Sequence, residues 1–348
     1  MEIERHHYNY IRASFAALLC VLALGALGKE PNVERDWVGH PAIVQIDTQE
    51  DVYVMGDVHG DYERLLKVLG VAGIIAGKPA EPEAVEWRAH AAVLMFTGDL
   101  IDKWKYSIKV ITLIHALQDK AGAEGGRVIV LMGNHEAEFL ADPTEKKVRD
   151  FATELDDEGF SPEQVAHCRG DLGQFLCGLP FGARVNDWFF SHAGNTEGRK
   201  LSQLISDLQG GVDREGFGTP QLIGNDSILE ARLGDRPWFD RDGSSEQEVL
   251  TQFADALGVA HLVQGHQPGK VVFADGVQRK SGAMFQRYGL IFLVDAGMSK
   301  GVDKSKGAML RIKTTKFSEV VVICASGKKT KIWDDQSKPQ VGKAAPCD

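Results

Sequence analysis

The residues of this sequence with the most evident chemistry are metal-capable side chains that directly follow short apolar runs. Three early runs lead into Gly56-Asp57-Val58-His59, Gly98-Asp99 and Gly133-Asn134, and two later ones lead into Ser191-His192 and Gly265-His266. Carboxylate and amide oxygens mixed with imidazole nitrogens, with no thiolate in the set, favour Mn, Fe or Zn. The neighbouring glycines permit tight turns and a close approach of the backbone to an ion.

The runs that precede these side chains alternate with helical patterns. Val52–Met55 and residues 91–96 and 127–132 are predicted strands, and apolar spacing predicts helices within 62–75 and 108–117. This alternation indicates an α/β fold with buried strands. Since ligands bind at the carboxyl ends of strands in open α/β sheets, we expect the metal-capable side chains to meet there.

The rest of the chain is predicted to complete one domain over residues 41–333. Residues 136–174 are predicted to form a helical insertion near the site, 185–191 a strand, and 210–243 a long surface excursion. Six short strands between 261 and 333 are predicted to build a hairpin-rich second sheet that packs on the first. The polar tail, 334–348, is predicted to be disordered.

The composition is that of a globular protein, with 348 residues of which 43% are apolar and 25% charged. The formal charge is −10 and no basic block is present. Binding to a nucleic-acid backbone needs clustered lysine and arginine, so we expect no nucleic-acid partner. The acidic balance does not exclude an anionic substrate, because bound cations can dominate the local field.

The N-terminus has the pattern of a targeting segment. Basic residues between 5 and 12 precede an apolar run over 13–28 that ends in Ala26-Leu27-Gly28. We expect 1–28 to be a signal peptide cleaved after Gly28, which predicts export to the periplasm or the medium. An uncleaved membrane anchor over 13–28 and a buried helix are the alternatives. In an exported protein Cys168 and Cys177 could form a disulfide, although separate buried thiols explain them equally well.

Taken together and in this order, the motifs resemble the calcineurin-like metallophosphoesterase superfamily over about residues 52–299. The intact Gly133-Asn134-His135-Glu136 and the Leu179-Pro180 lead into the strand before His192 are similar to the phosphoprotein-phosphatase branch. Within that branch the pattern resembles the bacterial Shewanella-like phosphatases. The resemblance implies a four-layer αββα fold, a two-sheet β-sandwich flanked by helices, with the helical insertion near the site.

The resemblance also implies a binuclear metal centre. Asp57 and His59 would hold the first ion, Asp99 would bridge both ions, and the second would be completed by Asn134, His192 and His266. Two such ions share a hydroxide that attacks phosphorus.

His135 is implied as the general acid that protonates the leaving oxygen, and Asp102 as the carboxylate that orients it. A helix cap is the alternative role for Asp102, and the two roles can coexist. Glu136 is expected to be a structural partner rather than a catalyst.

One departure concerns phosphate binding. The branch has Asp-Arg-Gly where this chain has Asp102-Lys103-Trp104, and Lys103 supplies charge without the bidentate fork of arginine. Arg232 or Arg241 is expected to bind phosphate as well, and a solvated surface arginine is the alternative for each. Asp295 is expected to support a metal-ligand histidine.

The function predicted from these residues is two-metal hydrolysis of phosphate monoesters, on a phosphoprotein or a small phosphoester. One alternative is a dinucleoside polyphosphate hydrolase of the same superfamily. A second is a catalytically silent, metal-binding scaffold. The sequence leaves open which phosphorylated residue is cleaved, which metals are native, and the oligomeric state.

Overall fold

The structure is a computed structural model, and it describes residues 35–234, 236–314, 318–336 and 340–347. The predicted signal or anchor segment, 1–28, lies outside the described residues. Within the described part, no helix is both long enough and apolar enough to cross a bilayer.

Strands and helices alternate through the first half of the chain, and strands dominate its end. The strands are β1 Ile43–Ile46, β2 Val52–Met55, β3 Val93–Phe96, β4 Arg127–Val130, β5 Gly182–Val185, β6 Trp188–Ser191, β7 His261–Gln264, β8 Val271–Val272, β9 Gln278–Arg279, β10 Ala283–Arg287, β11 Ile291–Leu293, β12 Ala308–Lys313, β13 Glu319–Cys324, β14 Lys329–Asp334 and β15 Lys343–Pro346. The α-helices are α1 Tyr62–Ala72, α2 Ser107–Ala123, α3 Asn134–Ala141, α4 Arg149–Asp157, α5 Pro162–Ala166, α6 Gly170–Gly178, α7 Leu201–Glu215, α8 Pro220–Ile223 and α9 Glu246–Leu257.

Two mixed sheets form the centre of the fold. The six-stranded sheet has the order β14-β13-β12-β2-β3-β4, and the seven-stranded sheet has the order β1-β5-β6-β7-β11-β10-β15. In the first, β2, β3 and β4 are parallel; in the second, β6, β7 and β11 are parallel. The predicted α/β fold, two sheets flanked by helices, is confirmed.

The hydrophobic core has two layers because the central strands are buried on both faces. In β3, Val93 and Met95 belong to the cluster between the sheets, whereas Leu94 and Phe96 belong to the cluster that includes the helices. A parallel strand buried on both faces reads as an unbroken apolar run, which is why Val-Leu-Met-Phe was recognisable in the sequence.

Two of the turns that leave parallel strands open directly into helices. After β2, Asp61 caps α1 by accepting a hydrogen bond from the Arg64 backbone N–H at 3.1 Å. After β4, α3 begins at Asn134 itself. Asp57, His59 and Asn134 therefore occupy short links between a strand and a helix, whereas His266 lies in the link from β7 to β8.

The sequence predicted that the C-terminal strands form a separate second sheet, and this prediction is wrong. β12 pairs antiparallel with β2 and carries β13 and β14 into the six-stranded sheet. The seven-stranded sheet is built from β1, β5, β6, β7, β11, β10 and β15. Local patterns predict strands but not their partners, and these partners lie far apart in the chain.

Three local predictions are also corrected. The strand predicted over 185–191 is a hairpin of β5 and β6. The excursion over 210–243 is not all surface, because Ile228, Leu229 and Phe239 are buried. In the tail predicted to be disordered, β15 pairs with β10. Strand pairing satisfies the backbone of that segment, which its composition could not indicate.

The described residues contain two disulfides. Cys168–Cys177, the pair considered from the sequence, is formed. A second disulfide joins Cys324, at the end of β13, to Cys347, just after β15, across 23 residues of sequence. Because β13 and β15 belong to different sheets, this bond ties the two sheets together at one edge.

We expect replacement of both Cys324 and Cys347 by serine to lower the free energy of unfolding by about 3 kcal/mol, because the open chain regains the entropy of a loop of this length. Urea unfolding of the oxidised protein measures the change. Peptide mapping without reductant is the control for bond formation. An unchanged midpoint, with the bond present in the parent protein, would contradict the prediction.

Candidate metal centre

The six predicted metal ligands come together at one end of the sandwich. Each follows the carboxyl end of a parallel strand, and the strands come from both sheets. Asp57 and His59 follow β2, Asp99 follows β3 and Asn134 follows β4. His192 follows β6, and His266 follows β7. All six side chains are buried.

One group of ligand atoms converges around Asn134. The Asn134 Oδ1, His192 Nε2 and His266 Nδ1 atoms lie 3.1 Å from one another in each pairing. The Oδ1 atom of Asp99 lies 3.4 Å from His192 Nε2. Two ligand atoms bound at about 2.1 Å to one ion at right angles stand about 3 Å apart. The spacing therefore fits a single cation between them.

A second group lies on the other side of the Asp99 carboxylate. Asp99 Oδ2 is 3.4 Å from His59 Nε2, which is 3.9 Å from Asp57 Oδ2. The Asp57 Oδ1 atom accepts a hydrogen bond from the His266 N–H, whereas its buried Oδ2 has no hydrogen-bond partner. An unpartnered buried carboxylate oxygen calls for a cation. Asp99 thus presents one oxygen to each group.

Backbone carbonyls orient two of the histidines. His192 donates from Nδ1 to the Thr97 carbonyl at 2.8 Å, and His59 donates from Nδ1 to the Ile101 carbonyl at 2.9 Å. A carbonyl oxygen can only accept, so the proton stays on Nδ1 and the Nε2 lone pair faces the site. This is the tautomer that binds a metal ion.

The charges of the cluster are unbalanced without cations. Burial raises the pKa of Asp57 well above its ordinary value, and the carboxylates of Asp295 and Asp99 raise it further. Burial would lower the pKa of His192, but Asp99 outweighs it and raises that pKa to about 10. Three buried carboxylates at one point are stabilised when positive charge is bound between them.

Glu136 holds the turns that carry the ligands. Its carboxylate accepts hydrogen bonds from the backbone N–H groups of Asp99, Leu100 and Ile101 after β3 and of Gly133 after β4. The two turns are in close contact, since a Cβ atom on Gly133 would meet the Asp99 carboxylate. The predicted structural role of Glu136 agrees with these bonds.

His135 and Asp102 form the pair expected of a proton donor and its orienting group. His135 Nδ1 lies 3.2 Å from Asp102 Oδ2, and a ring nitrogen of His135 is within 4.8 Å of ligand atoms of His59 and Asp99. Burial alone would lower the pKa of His135, but Asp99 and Asp102 outweigh it and raise that pKa. The other Asp102 oxygen accepts from the Phe151 N–H in the first turn of α4.

The predicted phosphate-binding residues lie at different distances from this cluster. Lys103 Nζ is 3.0 Å from His59 Nε2. Arg232 donates to Glu230 at 2.7 Å, and its charge helps to lower the pKa of His266, which burial lowers most. Arg241 instead lies over the ring of Phe253, 5.0 Å from its centre.

Sequence reasoning missed a buried acidic pair beside the cluster. Glu138 and Glu230 are both buried, and Lys147 reaches both, at 2.6 and 3.6 Å. Glu230 Oε2 lies 3.9 Å from His266 Nε2. One signal was present in the sequence, because Glu138 follows Asn134 by four residues and so shares its helix face.

Asp295 lies beside Asp57. The sequence analysis had instead expected it to support a metal-ligand histidine. Its Oδ1 accepts from the Gly297 N–H at 2.7 Å, and its negative charge raises the pKa of Asp57, which burial raises most. The partner differs because Asp295 follows β11, and the path of the chain beyond that strand cannot be read from local sequence.

Strained backbone marks the site. A positive φ occurs at His59, Asp99, Asp102, Lys103 and His266, with values of 44, 52, 64, 60 and 70°. Residues with a side chain rarely adopt this conformation, and each such position costs of order 1–3 kcal/mol. The bonds to Glu136 hold the turn that carries Asp99 in place against this cost.

We expect Glu136→Gln to lower the free energy of unfolding by about 3 kcal/mol, because a carboxylate that accepts four backbone N–H groups becomes an amide with one accepting oxygen. Chemical denaturation with and without Mn²⁺ measures it. Glu158→Gln, an exposed change at the end of α4, is the matched control. Equal stability of the two variants would contradict the role assigned to Glu136.

Comparison with known proteins gives a consistent assignment. The model of the calcineurin-like phosphoesterase family matches residues 51–270, more than half of the chain. The chain is 26% identical over 300 residues to an uncharacterised protein of Schizosaccharomyces pombe, covering 81% of this chain and 82% of that one. It is 26% identical over 264 residues to Shewanella-like protein phosphatase 1 of Plasmodium berghei, covering 71% and 67%.

Solved structures share the fold. The cold-active protein-tyrosine phosphatase of a psychrophilic Shewanella species superposes with a TM-score of 0.61 at 19% identity, covering 84% of this chain and 82% of that chain. The family match covers the strand-end turns that carry all six candidate ligands. The chain therefore belongs to the calcineurin-like phosphoesterase family and is a metal-dependent hydrolase of phosphoester bonds.

Proposed function

We propose that the protein hydrolyses phosphate monoesters at a centre of two metal ions, with a phosphoprotein or a small phosphoester as substrate. The observation that carries the proposal is the position of Asp99, whose two oxygens face two separate groups of ligand atoms. The name of the Plasmodium relative makes a phosphoprotein the first substrate to test.

The residues present fit a pair of ions such as Mn, Fe or Zn. The donors are carboxylate and amide oxygens and imidazole nitrogens, and no cysteine is among them. Asp57 and His59 would hold one ion, and Asn134, His192 and His266 would hold the other. Asp99 would hold both. Such ions supply Lewis acidity, which neutralises phosphoryl oxygens and activates water for attack on phosphorus.

His135 supplies the proton for the leaving oxygen in this proposal. Asp102 accepts a hydrogen bond from the His135 Nδ1–H, so the protonated ring carries a second, transferable proton on Nε2. The carboxylate also stabilises the imidazolium. Because Asp102 is held in turn by the Phe151 N–H, the ring is aimed by the helical insertion as well as by its own turn.

Lys103 and Arg232 are the cations proposed to bind the phosphoryl group. Lys103 lies next to His59, in one group of candidate ligands. Arg232 is held by Glu230 next to His266, in the other group. Arg241 is the weaker candidate, since its guanidinium group rests on Phe253.

We expect the purified protein with Mn²⁺ to hydrolyse an aryl phosphate and His135→Asn to lower kcat by about 100-fold or more, the usual contribution of a general acid. Elemental analysis should find the same metal content in both. His115→Asn, an exposed histidine on α2, is the matched control. Full turnover in His135→Asn would remove the proton-donor role.

A substrate panel separates the proposal from its alternatives. Phosphotyrosyl and phosphoseryl peptides, a diadenosine polyphosphate and a phosphodiester would be compared with Mn, Fe and Zn. Faster cleavage of the diadenosine compound would favour the dinucleoside polyphosphate hydrolase. Metal-loaded protein that cleaves nothing would favour the silent scaffold.

We also propose that the protein is exported. Disulfides form and persist in oxidising compartments, and the two pairs Cys168–Cys177 and Cys324–Cys347 are consistent with such a location. The apolar run over 13–28 is the segment that would direct export.

We expect the full chain, expressed in a bacterium with two membranes, to be recovered from the periplasm with Lys29 as its first residue. N-terminal sequencing of the fractions measures this, and a chain that starts at Lys29 is the cytoplasmic control. Uncleaved protein in the membrane fraction would favour the anchor over 13–28, and uncleaved soluble protein in the cytoplasm would contradict export.

A further inference from the structure

A basic and aromatic surface lies against the proposed metal centre. We call it the lysine–aromatic rim, and it consists of Trp104, Lys105, Tyr106, Lys109 and Lys300. The first three follow Asp102 and Lys103 directly, and Lys109 lies in the first turn of α2.

The rim is attached to the turn that carries His59. The neighbour of Lys300, Ser299, donates from its hydroxyl to the His59 carbonyl at 3.0 Å. The Lys300 N–H donates to Asp61 Oδ2 at 2.9 Å, two residues beyond His59. A peptide with its phosphorylated residue at the metal centre would therefore have its flanking residues close to the rim.

The backbone of the rim is rigid. A Cβ atom on Gly60 would lie 2.7 Å from the Trp104 carbonyl oxygen, so the loop packs directly on the backbone there. Tyr106 has a φ of 78°, and the two N–H groups that follow it, on Ser107 and Ile108, both donate to Glu154. Such a surface recognises a ligand without first paying the entropy of ordering a loop.

The charges of the rim have no acidic partners. Lys300 Nζ lies over the Trp104 ring at 5.6 Å and Lys109 Nζ over the Tyr106 ring at 5.4 Å. Among the residues that the structure describes, none of the three rim lysines lies within 4.0 Å of a carboxylate oxygen. The lysines are exposed, and Tyr106 is 44% exposed. In a chain with a formal charge of −10, this is a local concentration of positive charge.

We propose that the lysine–aromatic rim binds acidic residues that flank the phosphorylated residue, so that acidic phosphopeptides are the preferred substrate class. This rests on the proposed phosphomonoesterase function. Aspartate and glutamate side chains of the peptide pair with Lys105, Lys109 and Lys300, and the aromatic rings contact the peptide between those charges. An exposed tyrosine and a half-buried tryptophan between lysines suit a peptide, which offers apolar and acidic groups in turn.

The experiment compares phosphopeptides with the same phosphorylated centre and either aspartate and glutamate or serine and alanine as neighbours. We expect kcat/KM for the acidic peptide to be about tenfold higher at low salt, as two exposed charge pairs would give, and the preference to vanish at high salt. The difference should lie mainly in KM, because the flanks bind without taking part in the chemistry.

Charge variants assign the preference to the rim. In Lys105→Glu/Lys300→Glu the ratio of kcat/KM for acidic over neutral peptide should fall below one, and in Lys105→Ala/Lys300→Ala it should fall towards one, since only Lys109 remains. The control, Lys120→Glu/Lys329→Glu, makes the same change of charge at exposed positions and should keep the parent ratio. Lys120 lies about 16 Å beyond Lys109 along α2, and Lys329 begins the edge strand β14.

The outcomes separate the inference from the function on which it rests. Parent enzyme that cleaves aryl phosphate but treats acidic and neutral peptides alike would overturn the inference alone. The same follows if the control pair changes the ratio as much as the rim pair does. Absence of any phosphomonoesterase activity would instead overturn the proposed function.

Discussion

The candidate site depends on burying the Asp99 carboxylate at the meeting point of two groups of metal-capable side chains. A lone carboxylate in such a place is strongly unfavourable. Here its oxygens lie 3.4 Å from His192 on one side and 3.4 Å from His59 on the other. Cations bound on both sides, as proposed, would stabilise the cluster and would couple metal binding to native stability.

Both sheets of the sandwich are needed to assemble this cluster. Neither sheet alone carries the full set, since four of the ligands follow strands of the six-stranded sheet and two follow strands of the seven-stranded sheet. Packing the sheets face to face brings His266 within hydrogen-bond distance of Asp57. Glu136 then fixes the turns after β3 and β4 to each other, which holds the strained backbone of Asp99.

The helical insertion reaches the site through two carboxylates. Asp102 accepts from Phe151 on α4, and Glu154 on the same helix accepts from the first N–H groups of α2. The proposed proton donor, the start of α2 and the lysine–aromatic rim are therefore joined to one short helix. The proposed catalytic pair and the proposed surface for the peptide flanks would therefore both be positioned by α4.

Local sequence determined much of the site. The apolar runs and the glycines at their ends predicted β2, β3 and β4, and they predicted that Asp57, Asp99 and Asn134 would meet, because side chains after parallel strands share one edge. Periodicity and turn residues act over a few positions, so they can be read from neighbouring residues.

Only the tertiary structure decided which strands share a sheet and which distant side chains support the ligands. The pairing of β12 with β2, the bond between Cys324 and Cys347, and the approach of Glu230 to His266 each join residues far apart in the chain. Such contacts form because the whole chain buries its apolar faces at once, and no local pattern encodes that choice.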